Sequence, residues 1–171
     1  TEERTLLCVR TTDAKEDFDG LNFALNEVSV SRKNTASMIK VNTFLDGEFL
    51  TTYWSDGLIV STATGSTGYS MSCGGPIISP NSKNLVLTPI APHSLAVRPL
   101  VIPEHTKIEL NIDSRSDEVL LTLDSRMYTL DNGSKVFVER CKFSILTLQL
   151  KGESFIKTLR GKLLWGEDKR N

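Results

Sequence analysis

The segment DGLIVSTATGSTGYS, residues 56–70, changes abruptly from an apolar run to a string of small polar residues. Residues 57–62 are rich in β-branched and apolar side chains and predict a buried strand. Serines, threonines and glycines dominate residues 63–70, with Tyr69 near the end. A loop of this composition after a buried strand either makes a turn or binds an anion or nucleotide through its backbone N–H groups. Composition alone favours the two alternatives equally.

Short runs rich in β-branched or aromatic residues continue on both sides of this segment. They cover residues 4–11, 37–45, 47–55, 84–90, 106–113, 118–124, 126–130, 134–140 and 143–150. Asp46-Gly47 and Asn132-Gly133 lie between such runs and predict hairpin turns. Many short strands at regular spacing predict a mainly β fold, a sandwich of two packed sheets.

Only residues 154–171, at the end of the chain, have helical periodicity. Phe155, Leu159 and Leu163 recur at every fourth position, and Ser154 precedes them as a possible N-cap. An apolar helix face must be covered. It packs either on this domain's own sheet or on another part of the protein.

The composition is that of one soluble globular domain spanning residues 1–171, with 39% hydrophobic and 24% charged residues. The net charge of −1 argues against a nucleic-acid partner. No run of eighteen apolar residues and no signal-peptide pattern is present, so we expect no membrane partner. Cys8, Cys73 and Cys141 lie far apart without Cys-x-x-Cys spacing, so we expect neither a zinc site nor a disulfide framework, and a reducing, cytoplasmic location.

Other stretches carry polar residues where the surroundings are apolar or turn-like. Asn26-Glu27 interrupts an apolar run, and the pair either finds buried partners or lies exposed on a strand edge. Four prolines in residues 87–103 predict a shaped loop rather than a central strand. Asp124, at a predicted strand end, indicates a turn. Residues 61–76, which we call the central loop, lack the lysine of a Walker A motif and the spacing of a nucleophile elbow.

The order of these stretches resembles the C-terminal domain of NAD kinases. The matching motifs are LNEV at 25–28, DGLIVSTATGSTGYSMSCGGPIISP at 56–80, LTPIAPHSLAVRPLVIP at 87–103 and LD at 123–124. The resemblance implies an enzyme that transfers a phosphoryl group from ATP or polyphosphate to the adenosine ribose 2′-hydroxyl of NAD, giving NADP. It also implies Mg²⁺ or Mn²⁺ bound with ATP, and a homo-oligomer, dimeric or tetrameric, built through this β-domain.

The resemblance assigns nine positions to binding of the dinucleotide: Asn26, Glu27, Asp56, Thr67, Gly68, Tyr69, Ser72, Ala91 and Asp124. Asn26 matches a residue that reaches the adenine, and Glu27 one near the ribose. Thr67 and Ser72 match residues that line the adenine and ribose pocket.

The remaining positions match residues along the rest of the dinucleotide. Tyr69 matches the tyrosine that packs along it. Asp56 and Ala91 match positions that approach the nicotinamide end, often from a neighbouring subunit. Asp124 matches an acid near the ribose or phosphate. Gly68 stands where the family usually has alanine.

The family's Gly-Gly-Asp-Gly motif, which supplies the proposed general base and the ATP phosphate loop, does not occur in this sequence. We expect it on an N-terminal α/β domain that this chain lacks, so we assign no catalytic residue and no metal ligand here. The chain alone should be inactive. Two alternatives are the C-terminal domain of a lipid kinase of the diacylglycerol or sphingosine type, and a non-enzymatic β-sandwich interaction module.

Overall fold

The apolar runs form twelve strands in two antiparallel sheets, within the residues that this computed structural model describes, 1–13, 18–34 and 37–163. In spatial order, the first sheet contains β2 (Phe23–Ala24), β1 (Glu2–Thr11), β12 (Lys135–Thr147), β9 (Ile108–Asp113), β4 (Ile39–Leu45) and β5 (Glu48–Ser55). The second contains β11 (Arg126–Asp131), β10 (Glu118–Leu123), β3 (Glu27–Arg32), β6 (Gly57–Thr62), β7 (Asn84–Ile90) and β8 (Leu100–Pro103). The predicted two-sheet β-sandwich is confirmed.

The core lies between the two sheets and is built from alternate residues of the facing strands. Leu7 and Val41 of the first sheet are fully buried in the same cluster as Val30 and Leu58 of the second. Because successive side chains of a strand point to opposite faces, Glu27 lies on the outer face of the second sheet. That outer face is where the central loop packs.

The chain that follows β6 covers this outer face instead of running directly to the next strand. A single 3₁₀ turn, Gly65–Thr67, precedes the short helix α1, Tyr69–Ser72. Ala63, Ile78 and Val86 form a second, small apolar cluster between this segment and the sheet.

One of the two predicted hairpins is confirmed and the other is wrong. Asp46 and Gly47, with φ of 50° and 85°, join the paired strands β4 and β5. Asn132-Gly133 does form a turn, but β11 pairs with β10 in the second sheet whereas β12 belongs to the first. A local turn signal specifies a chain reversal, and it does not specify that the flanking strands pair.

The two strands predicted for residues 134–140 and 143–150 are one strand, β12. Thr5 pairs with Ser144, whereas Leu7 pairs with Arg140, so β12 has extra residues opposite β1 at this point. A bulge of this kind bends a strand without ending it. The break in the sequence pattern is therefore a bulge rather than a turn.

We expected no disulfide framework from the cysteine spacing, yet two of the three cysteines are bonded. Cys8 and Cys141 form a disulfide with Cα atoms 5.0 Å apart, although 133 residues separate them in sequence. They meet because β1 and β12 are neighbouring antiparallel strands. Cys73 is a free cysteine. Sequence spacing did not reveal this pair because it depends entirely on long-range strand pairing.

The predicted C-terminal helix is present as α2, Phe155–Leu163. Ser154 Oγ accepts a hydrogen bond from the Lys157 backbone N–H at 3.1 Å, which confirms the N-cap. Leu159 is buried and Ile156 is 61% exposed. The end of the predicted helix, residues 164–171, lies outside the described residues. None of the helices that the structure describes is long and apolar enough to cross a membrane.

The disulfide predicts a simple thiol count. Without reductant, the denatured chain should react with Ellman's reagent at one thiol, Cys73, and after reduction at three. A Cys73→Ser variant should give none before reduction and two afterwards. Three reactive thiols before reduction would show that Cys8 and Cys141 are not bonded.

Candidate functional site

The Asn26-Glu27 pair lies at the start of β3, where the loop after β6 packs directly against its backbone. The Thr62 backbone N–H donates to the Asn26 carbonyl at 2.9 Å, and Thr62 Oγ1 donates to the Leu25 carbonyl at 2.7 Å. A Cβ added at Gly65 would lie 2.1 Å from the Asn26 oxygen. Only glycine permits so close an approach. The approach holds the central loop and the Asn26-Glu27 pair together.

Asp124, in the turn between β10 and β11, fixes the same backbone from the other side. Its carboxylate accepts hydrogen bonds from the N–H groups of Leu25 at 2.8 Å, Asn26 at 2.7 Å and Glu27 at 3.2 Å. Its own N–H donates to the Glu27 carbonyl at 2.9 Å. The residue has a φ of 52°, a conformation that aspartate tolerates in turns. The predicted turn at Asp124 is confirmed.

Glu27 is half-buried beside this turn, and its Oε2 atom is shielded from solvent. Its Oε2 atom has no hydrogen-bond partner among the described residues. Burial, and to a lesser degree the negative charge of Asp124, raise the pKa of Glu27 from its ordinary value of 4.5 to about 7. Near neutral pH this group can therefore either donate or accept a hydrogen bond.

Tyr69 of α1 lies between Glu27 and Asp56. Its side chain is 44% exposed. Burial raises the pKa of Tyr69, with further increases from the Cys73 thiol and from the charges of Asp56 and Glu27. The hydroxyl therefore stays protonated and can donate a hydrogen bond. Because Glu27 pairs with Ser61 while Asp56 precedes β6, the two acids lie about 17 Å apart along the strands.

Asp56 and Ala91 lie together at the far end of this site. The Asp56 N–H donates to the carbonyl of Ile90 at 2.9 Å, and Ala91 follows with a φ of 44°. Arg32 Nη2 lies 2.9 Å from Asp56 Oδ2. A cleft of about 450 Å³ opens beside Arg32 and the exposed Trp54. Sequence reasoning did not single out Arg32, because nothing in the local pattern distinguishes it from any charged residue at a strand end.

The other predicted positions occupy the loop near Glu27. A Cβ at Gly68 would lie 3.4 Å from Glu27 Oε2, so Gly68 borders the carboxyl group directly. Thr67 Oγ1 donates to the Thr64 carbonyl at 3.4 Å. Ser72 lies exposed at the end of α1. The roles assigned to these residues remain predictions.

Several hydroxyl groups of the same loop serve the fold instead of a ligand. Ser66 Oγ donates to the Ala63 carbonyl at 2.8 Å and accepts from the Ile78 N–H at 2.9 Å. Ser70 Oγ and Thr88 Oγ1 lie 2.8 Å apart and are both buried. Composition could not separate these internal hydroxyls from exposed ones, because both kinds alternate within one short segment.

The described residues contain no group of three or more His, Cys, Asp or Glu side chains that could hold a metal ion. Two of the three acids of the site are committed to other partners: Asp124 binds backbone N–H groups and Asp56 lies against Arg32, which leaves Glu27 as a single carboxyl group. These residues do not fit a resident divalent ion.

The close approach of Gly65 gives a stability prediction. Gly65→Ala should lower the free energy of unfolding by about 1–3 kcal/mol, because the added methyl group overlaps the Asn26 backbone. Gly161→Ala, a matched control in α2 with open space at its Cβ position, should raise it by about 0.5–1 kcal/mol. Urea denaturation of both variants measures the difference. Equal stability of the Gly65 variant and the parent would contradict the contact.

The raised pKa of Glu27 gives a pH prediction. Below pH 4.5 the group is protonated in both the folded and the unfolded chain. Between pH 4.5 and about 7 the unfolded chain loses this proton while the folded chain keeps it, so the contribution of Glu27 to stability falls as pH rises, and it levels off above that range.

Urea denaturation at pH values on both sides of this window should show the parent losing stability relative to Glu27→Gln as pH rises. Glu118→Gln, which alters an exposed carboxyl group paired with Lys33, is the control and should show no comparable divergence. A pH-independent difference between the parent and Glu27→Gln would refute the raised pKa.

Comparison with known proteins places residues 25–150 in the family described as the ATP-NAD kinase C-terminal domain. The NAD kinase of Flavobacterium johnsoniae is 56% identical over the whole chain, which covers 58% of that protein. The NAD kinase of Cytophaga hutchinsonii is 46% identical over 99% of the chain, which covers 57% of that protein. The chain thus spans a little under three fifths of the length of these curated relatives.

Two solved structures have the same fold. A yeast NADH kinase in complex with NADH superposes with a TM-score of 0.88 at 30% identity, and the match covers 99% of this chain and 50% of that one. An NAD kinase from Archaeoglobus fulgidus in complex with ATP gives a TM-score of 0.79 at 27% identity, covering 95% of this chain and 60% of that one.

Proposed function

This chain belongs to the NAD kinase family, as its C-terminal domain, and we propose that it is the dinucleotide-binding and oligomerisation domain of an enzyme that phosphorylates NAD. The whole enzyme would transfer a phosphoryl group from ATP, or from polyphosphate, to the adenosine ribose 2′-hydroxyl and release NADP. Residues 1–171 would act as one domain in this process. The relatives are NAD kinases, which favours this function over that of a lipid kinase or an interaction module.

The observation that carries the proposal is the unpartnered Glu27 Oε2 atom. A buried oxygen without a hydrogen bond is costly, and such atoms in folded proteins require an explanation. A ribose hydroxyl supplies the missing partner. Asn26 adjoins Glu27 and would present its amide to the adenine.

The length of the site supports an extended ligand. Glu27 and Asp56 lie about 17 Å apart along β6, which suits the two ends of an extended dinucleotide. The proposed binding residues are Asn26, Glu27, Thr67, Gly68, Ser72 and Asp124 at the adenosine end, Tyr69 in the middle, and Asp56 and Ala91 at the nicotinamide end. Tyr69 would pack along the ligand and donate a hydrogen bond from its protonated hydroxyl.

In this proposal, the chain binds and orients the acceptor hydroxyl. Phosphoryl transfer depends chiefly on positioning and on stabilisation of phosphate charge, and a Mg²⁺ or Mn²⁺ ion bound with ATP would supply the latter. The described residues offer that ion no site, so we assign no step of this domain to it. The general base would lie on the Gly-Gly-Asp-Gly motif, which this sequence does not contain. The chain alone should therefore bind NAD and form no NADP.

The site lies at the surface of the domain, where Tyr69 and Ser72 are exposed, which is compatible with completion by a second copy of the chain. Asp56 and Ala91 would then serve a neighbouring subunit's ligand, in a homodimer or homotetramer. The proposed location is the cytoplasm, where a disulfide such as Cys8–Cys141 is uncommon.

The test is calorimetric titration of NAD into the chain. Glu27→Gln should weaken binding about tenfold, because it leaves the ribose hydroxyl with a poorer partner at a buried position. Lys33→Ala is the control, since the Lys33 ammonium is exposed and paired with Glu118 at 2.6 Å, and it should bind NAD as the parent does.

Two results would contradict the proposal. One is the absence of saturable NAD binding by the parent at millimolar ligand. The other is an equal loss of affinity in Glu27→Gln and Lys33→Ala, which would show that the assignment of binding residues is wrong.

A further inference from the structure

The turn between β10 and β11 holds the chain before β3 at two places. On one side, the Asp124 carboxylate accepts three backbone hydrogen bonds, from Leu25, Asn26 and Glu27. On the other, Arg126 Nη1 donates to the Leu21 carbonyl and Nη2 to the Phe23 carbonyl. Asp124 in the turn and Arg126 at the start of β11 thus fix both ends of the same short segment.

Arg126 also packs on the segment that it hydrogen-bonds. Its guanidinium carbon lies 5.7 Å from the centre of the Phe23 ring, within the range of a cation–π contact. The Phe23 ring in turn meets the Phe143 ring edge to face, with centroids 5.5 Å apart. The guanidinium group of Arg126 therefore packs against an aromatic surface, which restricts the orientation of its N–H donors.

The segment needs such outside support because it has little regular structure of its own. Residues 21–26 contain only the two-residue strand β2, which pairs with Leu7 and Cys8 of β1. Leu25 and Asn26 belong to no strand. Hydrogen bonds from charged groups to the backbone are roughly twice as strong as neutral ones. They are well suited to fixing a stretch that neither sheet organises.

We propose that the β10–β11 turn is a positioning element of the dinucleotide site, in which Asp124 and Arg126 act through the backbone of residues 21–27 to aim the Asn26 and Glu27 side chains at the adenosine. This inference rests on the proposed function and refines it. Asp124 then contributes by holding the backbone rather than by touching the ribose or phosphate, and Arg126 is a positioning residue that the family resemblance did not indicate.

The orientation of the Asn26 and Glu27 side chains depends directly on the three backbone N–H groups that donate to Asp124. A site side chain must be held within a fraction of an ångström of its productive position to bind well. Loss of the Asp124 carboxylate would free the peptide groups at 25, 26 and 27 together. Loss of Arg126 would free the chain a few residues earlier, at Leu21 and Phe23.

The first measurement is NAD affinity by calorimetry on the full chain. Asp124→Asn should weaken binding at least tenfold, because an amide cannot accept from three N–H groups as a carboxylate does. Arg126→Ala should weaken NAD binding about tenfold. Arg126→Lys should restore only part of the lost affinity, since an ammonium group lacks the planar arrangement of donors of a guanidinium group. Ser125→Ala, an exposed position between the two, is the matched control and should bind NAD as the parent does.

The second measurement is hydrogen exchange of the backbone amides. In Asp124→Asn, exchange should accelerate at Leu25, Asn26 and Glu27, while Val28 and Val30 in the body of β3 stay protected. A turn that only stabilises the fold would instead accelerate exchange across the whole second sheet by a similar factor.

The two measurements separate the two proposals. If the parent binds NAD and the Asp124 and Arg126 variants bind it equally well, the positioning role is wrong. If the parent does not bind NAD, the proposed function fails, and the exchange pattern still decides whether the turn fixes residues 25–27. Uniform acceleration over the sheet, or none, overturns the positioning role in either case.

Discussion

The site depends on the contact between Gly65 and the backbone of Asn26. The two backbone segments contact each other there without a side chain between them. Hydrogen bonds from the Thr62 hydroxyl and backbone N–H to the carbonyls of Leu25 and Asn26 reinforce the contact. This closeness brings Gly68 and Tyr69 over Glu27, although some forty residues separate them in sequence. A larger residue at position 65 would push the loop away from the sheet and open the pocket wall. Core packing beneath this face supports the contact but does not create it.

Two carboxyl groups lie close together beneath this loop, and their environments divide their roles. Asp124 is surrounded by N–H donors, so its charge is satisfied by the backbone. Glu27 is half-buried, its Oε2 atom has no hydrogen-bond partner in the described part of the chain, and its pKa rises to about 7. Groups with a shifted pKa or without a hydrogen-bond partner are common at functional sites. Such groups destabilise the fold, and binding of a ligand can offset that loss of stability.

The properties of neighbouring residues were enough to predict most of the strands, the Asp46-Gly47 hairpin and the Ser154 N-cap. The order of the motifs could also be read from the sequence. The features that were missed depend on partners far away in the chain. Asn132-Gly133 reverses the chain correctly, yet the sheet to which the next strand belongs is decided by β1 and β9. Cys8 and Cys141 meet only through that same pairing. The division of hydroxyls between internal and exposed positions likewise follows from packing, as Ser66 and Ser70 illustrate.

The position of β12 between β1 and β9 also constrains how the molecule can assemble. β1 cannot pair with β12 until residues 135–147 have been synthesised, because Thr11 pairs with Val136, 125 residues later in the chain. Contacts of such long range are slow to form, because the intervening loop must close before they stabilise anything. The second sheet needs nothing beyond Asp131 and can pair earlier. During translation, an incomplete first sheet with an unpaired β1 edge would therefore be the intermediate most exposed to aggregation.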